Sequence, residues 1–295
     1  MRIVTHNGSF HADDLFACAT LKLIYPDAEI IRSRDEEIIK TGDIVLDVGN
    51  VYDEKINRYD HHQKGGAGNH ENGIPYAAFG LIWKHFGTKL CNNQKVWQKI
   101  KEKIVLPIDA IDNGVTIVKE TNIHGVMPYF GDQPFLVFSP TWKEGEDNID
   151  QIFFDQVEKV IPVLRREIQV TSADIEAEEI ILNVVKNSSD KKLLVLDTSF
   201  PRYLYQGTLS ALPDILFVIM PRSDVRGWKI EAVKKNPTTM ESRKYFPEAW
   251  RGLRDEDLEK ATGVSGAYFC HNSGFMMATE SKEGALEIAR IALDS

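Results

Sequence analysis

Ile3 and Val4 form a short apolar run that breaks into a polar loop over residues 6–14, after which Leu15, Phe16, Ala19 and Leu23 recur at helical spacing. This pattern predicts a strand over 2–5, a loop, and a helix. Compact apolar runs predict further strands over 29–32 and 43–48, the second ending at Asp47 and Gly49, and helical periodicity follows over 76–86 and 96–108. Strands alternating with helices imply an α/β, doubly wound parallel sheet, whose ligands collect beyond the carboxyl ends of the strands. His6 and Asp47 both fall there.

Residues 149–186 are charged and helically patterned, with Pro162 expected to kink or interrupt the helix. Strands are then predicted over 192–197, 215–220, 228–233 and 267–278, and a terminal helix over 282–293. Turn signals at Pro213-Asp214, Asn236-Pro237 and the glycines 263 and 266 separate them. A chain of 295 residues exceeds what one core usually organises. The expected organisation is an N-terminal parallel-sheet domain (1–148), a long helical linker (149–190) and a smaller C-terminal α+β domain with a mixed sheet (191–295).

Composition narrows the class. Hydrophobic residues at 43% and charged residues at 27% are ordinary globular values, and no apolar stretch is long enough to span a bilayer. No signal-peptide pattern opens the chain, and Cys18, Cys91 and Cys270 are odd in number and widely spaced. A cytoplasmic protein without disulfides, zinc knuckles or membrane partners is expected. The net charge of -9 disfavours indiscriminate duplex DNA binding but permits a local basic groove.

Candidate chemistry is concentrated in the first 62 residues: His6, His11, Asp13, Asp14, Asp47, Asp60, His61 and His62. Imidazole and carboxylate without thiolate suit manganese, with magnesium, cobalt or zinc as alternatives. Consecutive helical side chains diverge by about 100°, so Asp13 and Asp14 can serve different ions. The two oxygens of a strand-end Asp47 can bridge ions roughly 3.5–4 Å apart, with hydroxide as the nucleophile. Taken singly, each group has a structural reading: Asp13 or Asp14 as a helix cap, Asp47 as a turn former, Asp60-His61-His62 as a solvated loop.

The run Asp60-His61-His62, behind an aspartate-bearing loop and strand-end Asp47, resembles the DHH superfamily of phosphoesterases. More narrowly, HNGSFHADD, DVGNVYD, YDHHQ, WRGLRD and HNSGF resemble the melanocyte-proliferating-gene family over nearly the whole chain. That resemblance implies a DHH-like first domain and RNA exonuclease activity. It makes His6 or His11, Asp13, Asp14, Asp47 and His61 metal ligands, sets His62 against the substrate phosphate, and gives Asp60 the task of orienting a histidine. A further aspartate is implied in the run PIDAIDNG, where Asp112 is favoured over Asp109. The loop departs from the superfamily's HxxxDxD spacing, so the roles of His6, His11, Asp13 and Asp14 stay open.

Residues 222–254 carry nine Lys or Arg against four acids, with Trp228, Tyr245, Phe246 and Trp250 interleaved. That composition suits a groove that tracks a phosphate backbone and stacks bases; its plain alternative is a solvated strand edge over core aromatics. Arg222, Arg226, Arg243 and Lys244 are the candidate phosphate contacts. His271, Asn272, Ser273 and Gly274 resemble the glycine-rich, histidine-bearing motif of the accessory domain in DHH exonucleases, which implies a phosphate grip. His85 and His124 read as structural, Cys18 as core, and His70 as part of a mobile glycine-rich loop. The expected activity is a two-cation phosphodiesterase acting on single-stranded RNA or short oligonucleotides from a cleft between the domains. Alternatives are hydrolysis of small phosphoanhydrides or nucleotides, a metal-dependent peptidase, or a non-catalytic RNA-binding protein.

Overall fold

In the computed structural model, which describes residues 1–118, 129–225 and 227–295, the chain separates into two units, Met1–Ala173 and Asp174–Ser295. The first begins with β1 (Arg2–Thr5), α1 (Ala12–Ile24), β2 (Glu29–Arg32), α2 (Glu36–Lys40), β3 (Ile44–Leu46), β4 (Tyr52–Asp53) and β5 (Arg58–Tyr59). Sheet order is β2-β1-β3-β5-β4. All neighbours are parallel except β4, which pairs antiparallel to β5, so this sheet is mixed rather than wholly parallel. The reversal is local: a 3-10 turn, Glu54–Ile56, leads into Asn57 at φ 53, a left-handed conformation that asparagine tolerates better than most residues.

Alternation along the strands sorts the sheet faces. Val4 and Val45, adjacent in register, pack with Ile39 of α2 on one face, which leaves Ile3, Ile44 and Leu46 buried on the other. Helix α3 (Ala78–Phe86) packs against α1. The single helix expected over 96–108 is instead α4 (Gln94–Ile100), a π-helical turn Lys101–Val105, and α5 (Leu106–Asp112). Pro107 in the first turn of α5 lacks an N–H, and the wider turn before it accommodates that loss.

After α6 (Gln133–Leu136), α7 (Ile149–Asn187) runs through Pro162 without an interruption, one of the two outcomes, kink or interruption, expected there. Proline in a helix interior costs about 3 kcal/mol. Here the buried stripe Phe153, Val157, Val160, Leu164 and Ile168 holds the helix continuous. The division between the units falls inside α7.

The second unit continues with β6 (Leu193–Val195), α8 (Arg202–Ser210), β7 (Phe217–Pro221), β8 (Trp228–Ala232), α9 (Asp255–Thr262), β9 (Ala267–Cys270), β10 (Met276–Thr279) and α10 (Lys282–Asp294). Its mixed sheet has the order β6-β7-β8-β10-β9, with only β6 and β7 parallel. The strand expected over 267–278 is a hairpin, because His271 to Gly274 turn the chain, with Gly274 at φ 65. One face packs Phe217, Ile219 and Ile230 with Ile288 and Ala289 of α10. The other packs Leu194, Val218 and Met220 with Tyr205 and Leu209 of α8 and Ile181 of α7. No described helix is long and apolar enough to cross a membrane.

Candidate metal centre

Three neighbouring parallel strands end on the same edge of the first sheet and deliver the chemistry together. His6 follows β1, Asp47 follows β3, and Asp60-His61-His62 follows β5. Helix α1 begins beside them, bringing Asp13 and Asp14 in its first turn, and α5 ends beside them on Asp112. Asp47 is held at φ 54, where a residue with a Cβ is rarely found.

The distances close a cluster. His6 Nε2 lies 3.2 Å from Asp14 Oδ2 and 3.1 Å from Asp47 Oδ2. His61 Nε2 lies 3.2 Å from Asp47 Oδ1, 3.3 Å from Asp112 Oδ2 and 3.9 Å from Asp13 Oδ2. Among the described residues, three sets that could hold a cation have donor atoms within 4.8 Å of one another: His6, His11 and Asp47; Asp47, His61 and His62; and His11, Asp13 and Asp112. Asp47 and His11 each belong to two sets. Asp14 belongs to none; its Oδ1 accepts from His11 N at 3.0 Å, closing the helix start.

The residues fit divalent cations on independent grounds. Asp13, Asp14, Asp47 and His6 are almost completely buried, yet among the described residues Asp13 Oδ1, Asp14 Oδ2, Asp47 Oδ1 and His61 Nε2 make no aligned hydrogen bond, only, where they have one, a close imidazole–carboxylate contact. Each such group costs about 1–3 kcal/mol. A cation compensates several at once. Burial, reinforced by Asp47, Asp112 and Asp14, holds the Asp13 carboxyl well above its ordinary range. Burial opposes charge on His6 too, yet Asp14 and Asp47 hold it up to about 10. His61 is raised despite burial, chiefly by Asp47, while the two histidines hold Asp47 well below the usual carboxylate range against its own burial. The cluster therefore binds protons on the lone pairs a cation would use.

Asp60 is committed differently. Its Oδ1 accepts from His61 N at 2.7 Å, His62 N at 3.1 Å and His62 Nδ1 at 2.8 Å, and its Oδ2 accepts from Asn50 N at 2.6 Å. This fixes the His62 ring, which remains more than half exposed. Within PIDAIDNG the two aspartates also separate: Asp112 faces His61, whereas Asp109 is buried against His70 at 2.7 Å and Gly80 N at 2.9 Å. His70, expected in a mobile glycine-rich loop, is instead buried, and its ring lies 3.9 Å from that of Tyr76. His85 bonds Tyr52 Oη at 2.8 Å, and Cys18 is core; His124 lies outside the described residues.

Two arginines were missed in the sequence. Arg32 braces the loop after β1, donating to His6 O at 3.1 Å and Gly8 O at 2.7 Å while stacking 4.3 Å from the Phe153 ring. Arg34 lines a cavity of about 610 Å³ together with Lys40, Asn50, Asp47, Asp60 and His62. Both follow or end β2 at the same sheet edge as His6. The crevice rule pointed to that edge for β2 as it did for β1.

The described second-unit candidates have different partners. Arg243 donates to Ile215 O at 2.8 Å and Ser210 O at 2.7 Å, and Lys244 Nζ to Leu293 O at 2.8 Å, so both cations serve backbone carbonyls. Arg222 pairs with Asp224 and reaches Tyr268 Oη at 3.3 Å. Arg226 lies outside the described residues. Of the interleaved aromatics, Phe246 and Trp250 are core and Tyr245 is exposed. His271, Asn272, Ser273 and Gly274 share one turn, in which Ser273 N donates to His271 Nδ1 at 3.1 Å. A Cβ on Gly274 would meet Arg251 Nε at 2.5 Å, so that close approach requires glycine.

Comparison with known proteins places these features in a family. Residues 2–293 match the family model MYG1_exonuc, described as "Uncharacterised protein family (UPF0160)". The chain is 32% identical to the MYG1 exonuclease of Homo sapiens over 321 residues, covering 99% of this chain and 85% of that protein. It is 31% identical to the MYG1 exonuclease of Mus musculus, covering 99% of this chain and 84% of that protein. Against a MYG1 protein of Schizosaccharomyces pombe the identity is 31%, covering 100% and 98%. Among solved structures, RecJ in complex with Mg2+ from Thermus thermophilus aligns at 13% identity and a TM-score of 0.25, over 100% of this chain and 50% of that one. A likeness that slight assigns no fold.

Proposed function

The chain belongs to the MYG1 family (UPF0160), and we propose that it is a manganese-dependent phosphodiesterase that shortens single-stranded RNA or short oligonucleotides from an end. The observation that carries this reading is the set of buried carboxylate and imidazole atoms without an aligned hydrogen bond around Asp47. His6, His11, Asp13, Asp47, His61 and Asp112 would hold two cations, joined by Asp14 through the Oδ2 that faces His6, since its Oδ1 closes the helix start. Manganese suits a donor set of nitrogen and oxygen without sulfur. Such cations, when bound, neutralise phosphate oxygens and lower the pKa of water.

The chain's own groups supply orientation and proton handling. Asp47 stands at the centre because its two oxygens face different histidines, His6 and His61. Asp60 accepts the Nδ1 proton of His62, which leaves His62 Nε2 to exchange a proton with a phosphate or leaving-group oxygen. Arg32 keeps the His6 loop in place from behind. His271 and the turn through Gly274 are proposed to contact the nucleic-acid backbone, with Arg222 and Arg226 as cationic support. The carbonyl contacts of Arg243 and Lys244 assign those two a bracing role first. Incubation of end-labelled oligoribonucleotides with manganese-loaded protein and its Asp47→Asn variant tests the reading.

A further inference from the structure

The cavity of about 610 Å³ beside the candidate cluster is lined by groups of three kinds. Asp47, Asp60 and His62 come from the cluster. Arg34 and Lys40 add cations, and Ile39, Val48 and Val51 add apolar surface. Its volume lies in the range that encloses one small ligand, roughly 300–1,000 Å³.

Arg34 stands just past the carboxyl end of β2, and its backbone is pinned on both sides. Ser33 N donates to Thr5 O at 2.8 Å, and Asp35 caps α2 by accepting from Glu37 N at 2.8 Å. The Arg34 side chain is exposed and, among the described residues, makes no hydrogen bond or ion pair. Lys40, by contrast, is tied to Glu37 at 2.7 Å. A guanidinium without a carboxylate partner, carried on a fixed backbone and lining a cavity it shares with His62, is suited to a phosphate oxygen pair.

The geometry points to this cavity as the subsite for a single terminal nucleotide, its phosphate contacted by Arg34 and its base or sugar lying on Ile39 and Val51. The assignment rests on the phosphodiesterase reading of the adjoining centre and extends it: a pocket for one nucleotide accounts for removal of units from an end. Glu36, Asp47 and Asp60 also line the cavity, so anion binding there depends on cations at the cluster.

Calorimetric titration of manganese-loaded and manganese-free protein with adenosine 5'-monophosphate, and with adenosine, tests the subsite. The loaded protein is expected to bind the monophosphate at least tenfold more tightly than adenosine, and the metal-free protein to lose that preference. Arg34→Ala should weaken monophosphate binding about tenfold, the order expected for one charge-assisted contact, and Arg34→Lys should restore part of it. Both variants should melt with the wild type, because the side chain is exposed. Equal binding of monophosphate and nucleoside, or wild-type binding by Arg34→Ala, overturns the subsite. Arg34-dependent binding by a protein that cleaves no oligoribonucleotide would sustain the anion subsite and sink the phosphodiesterase reading instead.

Discussion

His70 Nε2 lies 2.7 Å from Asp109 Oδ2 in a pair whose side chains are both buried. The contact spans 39 positions of sequence and ties the glycine-rich segment after the Asp60-His61-His62 run to α5. Removing the imidazole leaves a buried carboxyl with one donor fewer. His70→Ala should therefore destabilise the protein by about 2–4 kcal/mol, read as a lower denaturant midpoint. Gly80→Ala should do comparable damage, since its Cβ would lie 1.7 Å from Asp109 Oδ2.

Asp112 sits three residues further along α5 but faces His61 at 3.3 Å and shares a ligand set with His11 and Asp13. Asp112→Asn should weaken manganese binding by roughly 10- to 100-fold, measured by titration, with little loss of metal-free stability. Stability lost without any change in metal affinity would instead make Asp112 a structural partner.

The pH dependence of the metal-free protein follows from His6. Its pKa is raised from an ordinary 6.5 to about 10 by Asp14 and Asp47, against burial. A raised folded-state pKa contributes stability that is fully present below about 6.5 and lost as pH climbs toward 10. The difference in melting temperature between wild type and His6→Gln should shrink across that window. Manganese competes for the same lone pair, so its apparent affinity should rise over the same interval, with proton release seen by calorimetry in buffers of different ionisation enthalpy.

The strand-end candidates His6 and Asp47 were legible because their positions follow from local pattern alone. An apolar run ending in His6 or Asp47 puts that residue at a sheet edge whatever the rest of the chain does, whereas Asn57-Arg58-Tyr59 is no apolar run and Asp60-His61-His62 stood out through its resemblance to a known motif. Long-range partners were not legible. Local composition made the glycine-rich stretch around His70 read as a mobile loop, yet Asp109 anchors His70 within it. Asp109 and Asp112, one turn apart on α5, differ only in what lies opposite them. The cationic count over 222–254 was correct as a count, but Arg243 and Lys244 spend their donors on backbone carbonyls. A long apolar run over 267–278 concealed a hairpin because the HNSG turn lies within it. Pro162 announced a kink or an interruption, and the buried stripe of α7 carries the helix past it without the interruption.

The central claim is that the buried centre around Asp47 hydrolyses phosphodiester bonds of RNA ends with manganese. A time course on an oligoribonucleotide labelled at either end, with metal content verified before and after, tests it most directly. Wild type should release mononucleotides progressively, and Asp47→Asn should be slower by about a thousandfold or more, a loss of roughly 4 kcal/mol in transition-state stabilisation. An intact oligonucleotide in the presence of fully metallated wild type, or an Asp47→Asn variant that cleaves at the wild-type rate, would contradict the account.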